Sequence, residues 1–163
     1  EEKKSVEIDL EIDAYIPDSY ILDGHQKIEM YKRFRGATSL EDIEELQAEM
    51  LDRFGEYPTE VSYLFQIAKM KVFALLNGVE QIKQAKQEVT ILVNEQITAT
   101  IDGSKVYTMG NQFGRNVNPG MEGQRLKIVI KTKEYETAQW LHIAFEMIKG
   151  LKKKKKDQGN PVK

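Results

Sequence analysis

The sequence predicts an α+β fold: an N-terminal strand, a segment of three helices, then mostly antiparallel strands with two further helices. Near the N-terminus, apolar and acidic residues alternate with the two-residue period of a strand. From about residue 24 to residue 76 the apolar residues recur at helical spacing, and after Gly78 the two-residue period returns. Because the helices are clustered, a parallel sheet with regular strand and helix alternation is not expected.

Length and composition predict one globular domain with a short tail. The chain has 163 residues, 40% of them hydrophobic and 31% charged, and a net charge of −2. We expect a linker at 1–5, a single α+β domain at 6–151, and a disordered lysine-rich tail at 152–163. The first residue, Glu1, suggests that the chain is cut from a longer protein.

The compartment is inferred from what the sequence lacks. It contains no cysteine and no apolar run long enough to span a membrane or to form the core of a signal peptide. We therefore expect a cytoplasmic protein without disulfides and without membrane contact.

The first strand is predicted over 6–16 and ends at Pro17. Its acidic row consists of Glu7, Asp9, Glu11 and Asp13. Side chains two apart on a strand are roughly 6.5 Å apart and parallel, so they do not converge on a metal ion. Solvated carboxylates, or carboxylates that protect an exposed strand from pairing, are expected instead.

A basic helix is predicted from Asp23 to about residue 35. Asp23 and Gln26 have the spacing of a capping box, and Gly36 ends the helix. Its apolar stripe is predicted to be Ile28, Tyr31 and Phe34, and its basic residues are Lys27, Lys32, Arg33 and Arg35.

The second helix, capped by Ser39 and closed by Gly55, is predicted over 40–54. Its apolar stripe comprises Leu40, Ile43, Leu46, Met50, Leu51 and Phe54. The opposite side, here called the acidic face, comprises Glu41, Glu45, Glu49 and Asp52. Like charges four residues apart repel by a few tenths of a kcal/mol per pair, which a basic partner would relieve. The acidic face is therefore either a solvated surface or a docking surface.

The remaining predicted elements follow in order along the chain. They are a helix from Pro58 to 76 that is apolar around most of its circumference, a hairpin of 79–85 and 89–93 around 86–88, a weak strand at 97–101, a short helix capped by Ser104 and carrying Val106, Met109 and Phe113, a chain break at 118–120, a strand at 126–131, and a final helix at 135–148.

The sequence contains no recognisable catalytic, cofactor or metal motif. His25 and His142 stand in no metal-ligand pattern, no serine occupies a nucleophile elbow, and the glycine pairs lack the lysine of a phosphate-binding loop. We expect a domain that is not an enzyme.

A run of five lysines, 152–156, is the one feature typical of nucleic-acid binding. It follows the last apolar residue, Leu151, and continues into a composition typical of disorder. A solvated tail and a phosphate-binding tail both remain open, but no specific nucleic-acid site is expected within the fold.

Three segments resemble the C-terminal domain of transcription-repair coupling factors. They are IDLEIDAYIPDSYI at 8–21, KIEMYKRF at 27–34 and EELQAEMLDRFGEYP at 44–58. The similarity continues through IAKMK at 67–71 and GVEQI at 78–82, and more loosely from 101 to 123. The block DRFG at 52–55 with Tyr57 and Pro58 is the most distinctive part.

This resemblance implies a regulatory role. In the family, an ATP-driven double-stranded DNA translocase, which uses ATP and Mg²⁺, displaces stalled RNA polymerase and recruits UvrA. The C-terminal domain has none of these activities and packs on a UvrB-like N-terminal module, where it masks the UvrA-binding surface until the motor engages polymerase. The resemblance further implies that residues 1–5 follow the motor domain, and that Glu49 and Asp52 pair with arginines of the module.

Two other hypotheses remain. In the first, the chain is an accessory nucleic-acid-binding module that uses the basic first helix and the lysine tail. In the second, it is a cap that only keeps the longer protein soluble.

Overall fold

The structure, a computed structural model, describes residues 5–151 and has the predicted α+β fold. Its helices are α1 (Gly24–Gly36), α2 (Leu40–Phe54), α3 (Thr59–Leu76), α4 (Glu95–Thr98), α5 (Gly103–Gln112) and α6 (Thr137–Lys149). Its strands are β1 (Glu7–Asp9), β2 (Val79–Ala85), β3 (Glu88–Val93), β4 (Val117–Glu122) and β5 (Arg125–Lys131). The predicted linker at 1–5 lies outside the described residues except for Ser5, and the tail at 152–163 lies wholly outside them.

The contacts divide the chain into two compact units. The helical unit comprises residues 11–73, and the sheet unit comprises residues 5–10 and 74–151. The boundary between the units falls near the end of α3. The extent of the single domain at 6–151 stays a prediction.

The sheet unit is built on a five-stranded sheet with the order β1-β2-β3-β5-β4. β1 pairs in parallel with β2, with Ile8 opposite Ile82, and all other pairs are antiparallel. One face of the sheet is apolar and buried because the alternate residues of β3 and β5 lie on the same side. These residues are Val89, Ile91, Val93, Leu126, Ile128 and Ile130.

The prediction of a strand over 6–16 is wrong in length, since β1 ends at Asp9. Asp9 lies opposite Lys83, and β2 ends only two residues further on, at Ala85. Most of the remaining residues of the predicted strand would therefore have no partner in β2. The period-two pattern nevertheless persists. From residue 6 to residue 16 each even-numbered residue is more buried than its odd-numbered neighbours.

The predicted weak strand at 97–101 is also wrong, because 95–98 form the short helix α4. The side-chain oxygen of Asn94 accepts a hydrogen bond from the Ile97 amide at 2.6 Å, and Thr98 Oγ1 donates to the Asn94 carbonyl at 2.8 Å. These local bonds favour a turn of helix over a strand. Up to residue 151, three helices rather than the predicted two therefore follow the first hairpin.

Two further local predictions are corrected. The N-cap of α5 is Asp102 rather than Ser104, since the Asp102 carboxylate accepts from the Lys105 amide. The predicted break at 118–120 lies inside β4, where Pro119 is opposite Ile128. β4 is an edge strand with one partner, and an edge strand tolerates the missing amide donor of proline.

α5 packs against β4 and also contacts α6. Among the helices of the sheet unit, α6 has the largest buried side chains. The contact of α5 with β4 is close because Gly110 faces the ring of Pro119, and a Cβ at Gly110 would lie 2.9 Å from Pro119 Cγ. The buried residues of α6 are Trp140, Leu141, Ile143, Ala144, Met147 and Ile148.

The helical unit has its own apolar core. Its fully buried members come from the segment before α1 and from all three helices: Ile16, Ile21, Met30, Ile43, Leu46, Met50, Val61, Phe65 and Val72. The predicted stripe of α1 is partly wrong, since Ile28 is 54% exposed and Met30 is buried. Tyr31 and Phe34 pack against this core as predicted.

The turn between β2 and β3 contains two residues with a left-handed backbone. Lys86 and Gln87 have φ of 52° and 63°, which type I′ hairpin turns require and which Asn and Gly adopt at least cost. Substitution of Lys86→Asn together with Gln87→Gly is expected to raise the free energy of unfolding by about 1 kcal/mol, because relief of the left-handed backbone cost at both positions exceeds the conformational entropy that glycine adds to the unfolded chain. Chemical denaturation measures this change. The control, Lys86→Ala with Gln87→Ala, should give no gain, and equal stabilisation by both pairs would contradict the account.

A second stability prediction concerns Tyr31. Its hydroxyl oxygen accepts a hydrogen bond from the amide of buried Ile16 at 2.7 Å. Tyr31→Phe leaves that amide without its acceptor, so we expect a loss of about 1–3 kcal/mol in the free energy of unfolding. Tyr15→Phe, at a half-exposed tyrosine, is the matched control and should change stability little. Equal losses in both variants would contradict the role of Tyr31.

Candidate docking site

α2 is fixed at both ends by local hydrogen bonds. At its N-terminus, Ser39 Oγ accepts from the Asp42 amide at 3.1 Å, and the Asp42 carboxylate accepts from the Thr38 amide at 3.0 Å. The hydrogen bond from the Thr38 amide, followed by those from Ser39 and Thr38 side chains, lowers the pKa of Asp42. At its C-terminus, Gly55 has φ of 84°, and the Tyr20 hydroxyl donates to the Gly55 carbonyl at 2.7 Å. The predicted bounds and caps of α2 are confirmed.

The rotation of α2 is set by three fully buried side chains, Ile43, Leu46 and Met50. The predicted stripe was too wide, because Leu51 is 51% exposed and Leu40 is 37% exposed. At about 100° per residue, Leu51 lies roughly 100° from the middle of the buried three, which takes it off the core side.

The same geometry separates the acidic face into two parts. Glu41, Glu45 and Asp52 fall within about 40° of one another and lie opposite the buried stripe, and all three are exposed. Glu49 lies about 40° beyond Glu45, on the flank of the helix, and its side chain is 35% exposed. The structure thus brings three of the four predicted residues together and sets Glu49 apart.

Glu49 forms the centre of a charged network that joins α1 to α2. Its Oε1 accepts from Arg33 Nη1, and its Oε2 accepts from Arg53 Nη1 at 2.7 Å. Arg53 also contacts Glu29 at 3.4 Å and lies over the Phe54 ring at 5.0 Å. These residues, Glu29, Arg33, Glu49 and Arg53, are here called the Glu49 network. The hydrogen bonds from Arg33 and then Arg53 lower the pKa of Glu49.

The three exposed acids differ from Glu49 in their surroundings. Among the described residues, no lysine or arginine lies within ion-pair distance of Glu41, Glu45 or Asp52. Their charges are therefore available to a partner, and repulsion between Glu41 and Glu45 persists.

The arginines of the Glu49 network are not among the site residues that the sequence predicts. The sequence does carry a signal for Arg53, since it follows Glu49 by four residues on a helix, a spacing that favours an ion pair. For Arg33 the sequence indicates only a place on a basic helix, because its contact with Glu49 depends on how α1 and α2 pack.

Fewer basic side chains of α1 are available for nucleic-acid binding than the sequence suggests. Lys27 pairs with Asp18 and Arg33 pairs with Glu49, which leaves Lys32 and Arg35 among the four basic residues of the helix. The lysine run at 152–156 lies outside the described residues.

Two kinds of site are absent from residues 5–151. No cluster of three or more histidines or carboxylates there is arranged to hold a metal ion. No helix in that range is long and apolar enough to cross a membrane.

The lowered pKa of Glu49 predicts a pH dependence. A carboxyl whose pKa is lower in the folded than in the unfolded protein stabilises the fold at any pH above its unfolded pKa, which for a glutamate is near 4.5. This stabilisation is lost as the pH falls from the unfolded pKa through the pKa of the folded protein. Glu49→Gln should therefore lower the melting temperature at pH 7, and the difference from wild type should shrink as the pH falls below about 4.5. Thermal unfolding over this range measures it. Glu44→Gln, an exposed change on the same helix, is the control, and a pH-independent difference for Glu49→Gln would contradict the assignment.

Comparisons with known proteins place these features in a family. A family model described as the TRCF domain matches residues 10–104. The transcription-repair-coupling factor of Bacillus subtilis (strain 168) is 53% identical over 155 residues, which are 95% of this chain and 13% of that protein. The corresponding protein of Staphylococcus aureus (strain USA300) is 35% identical over 140 residues, 86% of this chain and 12% of that protein.

A solved structure agrees with these relatives. It is described as the C-terminal domain of a transcription-repair coupling factor, is 28% identical, and superposes with a TM-score of 0.78 over 90% of this chain and 91% of that one. The family model covers more than half of the chain and includes the whole helical unit. The chain therefore belongs to the TRCF domain family and corresponds to the C-terminal domain of transcription-repair coupling factors.

Proposed function

We propose that this chain is an autoinhibitory docking domain of a longer transcription-repair coupling factor. In this proposal it covers the surface of a UvrB-like N-terminal module to which UvrA binds, and it is released when the DNA-translocating motor engages RNA polymerase. The chain spans about an eighth of the length of its curated relatives, so the motor, its ATP and Mg²⁺ and the module belong to the remainder of the longer protein.

The observation that carries the proposal is the exposed part of the acidic face. Glu41, Glu45 and Asp52 project from one side of a helix whose other side is fixed in the core of the helical unit. A helix that presents three carboxylates with no lysine or arginine of residues 5–151 within ion-pair distance is complementary to a basic protein surface.

The strength of such contacts suits a reversible clamp. Exposed ion pairs contribute about 1 kcal/mol or less each and weaken with salt. Two or three of them favour the docked state while leaving it open to displacement by a competing interaction.

The proposal is tested by charge reversal in the full-length protein. Glu45→Lys with Asp52→Lys should release the domain and raise UvrA capture by about tenfold or more, since roughly 1.4 kcal/mol corresponds to a factor of ten. A UvrA pull-down at defined salt measures the effect. Glu49 is left unchanged because its reversal would also break the Glu49 network.

The control is Glu44→Lys, a single charge reversal on the same helix but about 60° or more from the three exposed acids. It should leave UvrA capture near the wild-type level. If the Glu45/Asp52 reversal and this control both keep wild-type capture and wild-type melting temperature, the acidic face is only a solvated surface.

A further inference from the structure

The free edge of β4 presents a short row of unpaired backbone groups. The Lys131 amide donates to the Asn116 carbonyl at 2.8 Å, which fixes where the hydrogen-bonded pairs of the β4–β5 ladder fall. By alternation, the even-numbered residues of β4 bond to β5, whereas the backbone groups of Pro119 and Met121 point away from it. No turn or cap within residues 5–151 uses the Met121 amide, the Met121 carbonyl or the Pro119 carbonyl.

Pro119 limits how a further strand can add to this edge. It offers a carbonyl acceptor but no amide donor, so a long ladder would lose a hydrogen bond there. Met121 offers both a donor and an acceptor. An added strand is therefore centred on Met121, with one further bond to the Pro119 carbonyl, and a short extended peptide is enough to use all three groups.

An apolar groove of about 810 Å³ lies beside Met121. Ile101 and Leu126 line it and are buried, whereas the Met121 side chain is 58% exposed. Thr98 and Ala99 of the α4 region form another wall, and Thr98 Oγ1 accepts a hydrogen bond from the Leu126 amide at 2.9 Å. Residues directly opposite each other on antiparallel strands point to the same face of a sheet. The residue of an added strand that lies opposite Met121 therefore directs its side chain toward this groove.

The charges around the groove favour a basic peptide. Glu95 lines the groove and is exposed, with no lysine or arginine of residues 5–151 within ion-pair distance. Glu122 follows Met121 on the other face of β4, where its Oε1 accepts from Lys127 at 3.2 Å while its side chain remains 57% exposed. A lysine or arginine opposite Glu122 on an added strand would form a favourable cross-strand pair.

We propose that the β4 edge and this groove bind an extended segment of a partner protein, which adds to the sheet as an antiparallel strand. The segment carries a large apolar residue opposite Met121, and the residue that precedes it, opposite Glu122, is lysine or arginine. Three backbone hydrogen bonds to Met121 and Pro119 align the segment, and the groove selects its apolar side chain. This site lies in the sheet unit and is separate from the docking role proposed for α2.

A defined peptide tests the site. The probe is acetyl-Ser-Lys-Leu-Thr-Val-amide, in which the leucine takes the position opposite Met121 and the lysine that opposite Glu122. It is titrated to about 1 mM into the isotope-labelled chain, so that weak binding is detected by NMR. The Met121 amide signal should shift with saturation. Leucine to serine in the peptide should weaken binding about tenfold or more, because the buried apolar area is lost. Lysine to glutamate should weaken it about threefold or more, and by less at high salt.

Two substitutions at one position separate backbone pairing from side-chain contact. Met121→Pro removes the outward amide without removing a hydrogen bond to β5, whereas Met121→Ala keeps the amide and shortens the side chain equally far from the core. Met121→Pro should bind the peptide about threefold to tenfold more weakly than Met121→Ala, since one hydrogen bond is lost. A peptide with an N-methylated leucine lacks the donor to the Met121 carbonyl and should bind the unaltered chain at least about threefold more weakly.

Several results would overturn the proposal. They are no shift of the Met121 amide at about 1 mM peptide, equal affinity of the Met121→Pro and Met121→Ala variants, and equal affinity of the N-methylated and unmodified peptides. If melting temperatures show that Met121→Pro fails to fold, the N-methylated peptide decides. Sedimentation of the chain without peptide detects self-association, and a dimer that Met121→Pro abolishes would mean that a second copy, rather than a partner peptide, occupies the edge.

Discussion

The burial of one narrow stripe of α2 determines most of what the helical unit presents to its surroundings. Ile43, Leu46 and Met50 are fully buried, and a helix that buries three side chains over two turns cannot rotate without opening cavities in its core. That fixed rotation directs Glu41, Glu45 and Asp52 outward and brings Glu49 to the flank that meets α1. The division of the acidic face into exposed and paired residues is therefore a consequence of core packing.

The sheet unit follows a different rule, in which pairing limits each strand. The segment that contains β1 keeps its alternating exposure to residue 16, but its ladder ends at Asp9 because its partner β2 ends soon afterwards. A proline is accepted in β4 because that strand lies at the edge. Both cases show that a strand's length and its tolerance of proline depend on its neighbours, which local periodicity does not report.

The features predicted from the sequence are those with local causes. The bounds of α2, the Ser39 and Asp23 caps and the β2–β3 hairpin follow from nearby residues, and each is confirmed. The errors arise where tertiary contacts decide, as in the exchange of Ile28 for Met30 on α1 and the pairing of Glu49 with Arg33 from a different helix. The exposure of Leu51 has a local cause, since at about 100° per residue Leu51 lies off the side of α2 that Ile43, Leu46 and Met50 occupy, and the predicted stripe is too wide there.

The central claim is that this domain docks through exposed carboxylates on a basic surface of its own longer protein. The most direct test is the dissociation constant of this chain for the separately purified N-terminal module, measured across a series of salt concentrations. The account predicts binding that weakens steadily as salt rises from low to about twice physiological concentration, as expected for exposed ion pairs. Absence of binding at low salt, or binding that does not change with salt, would contradict it.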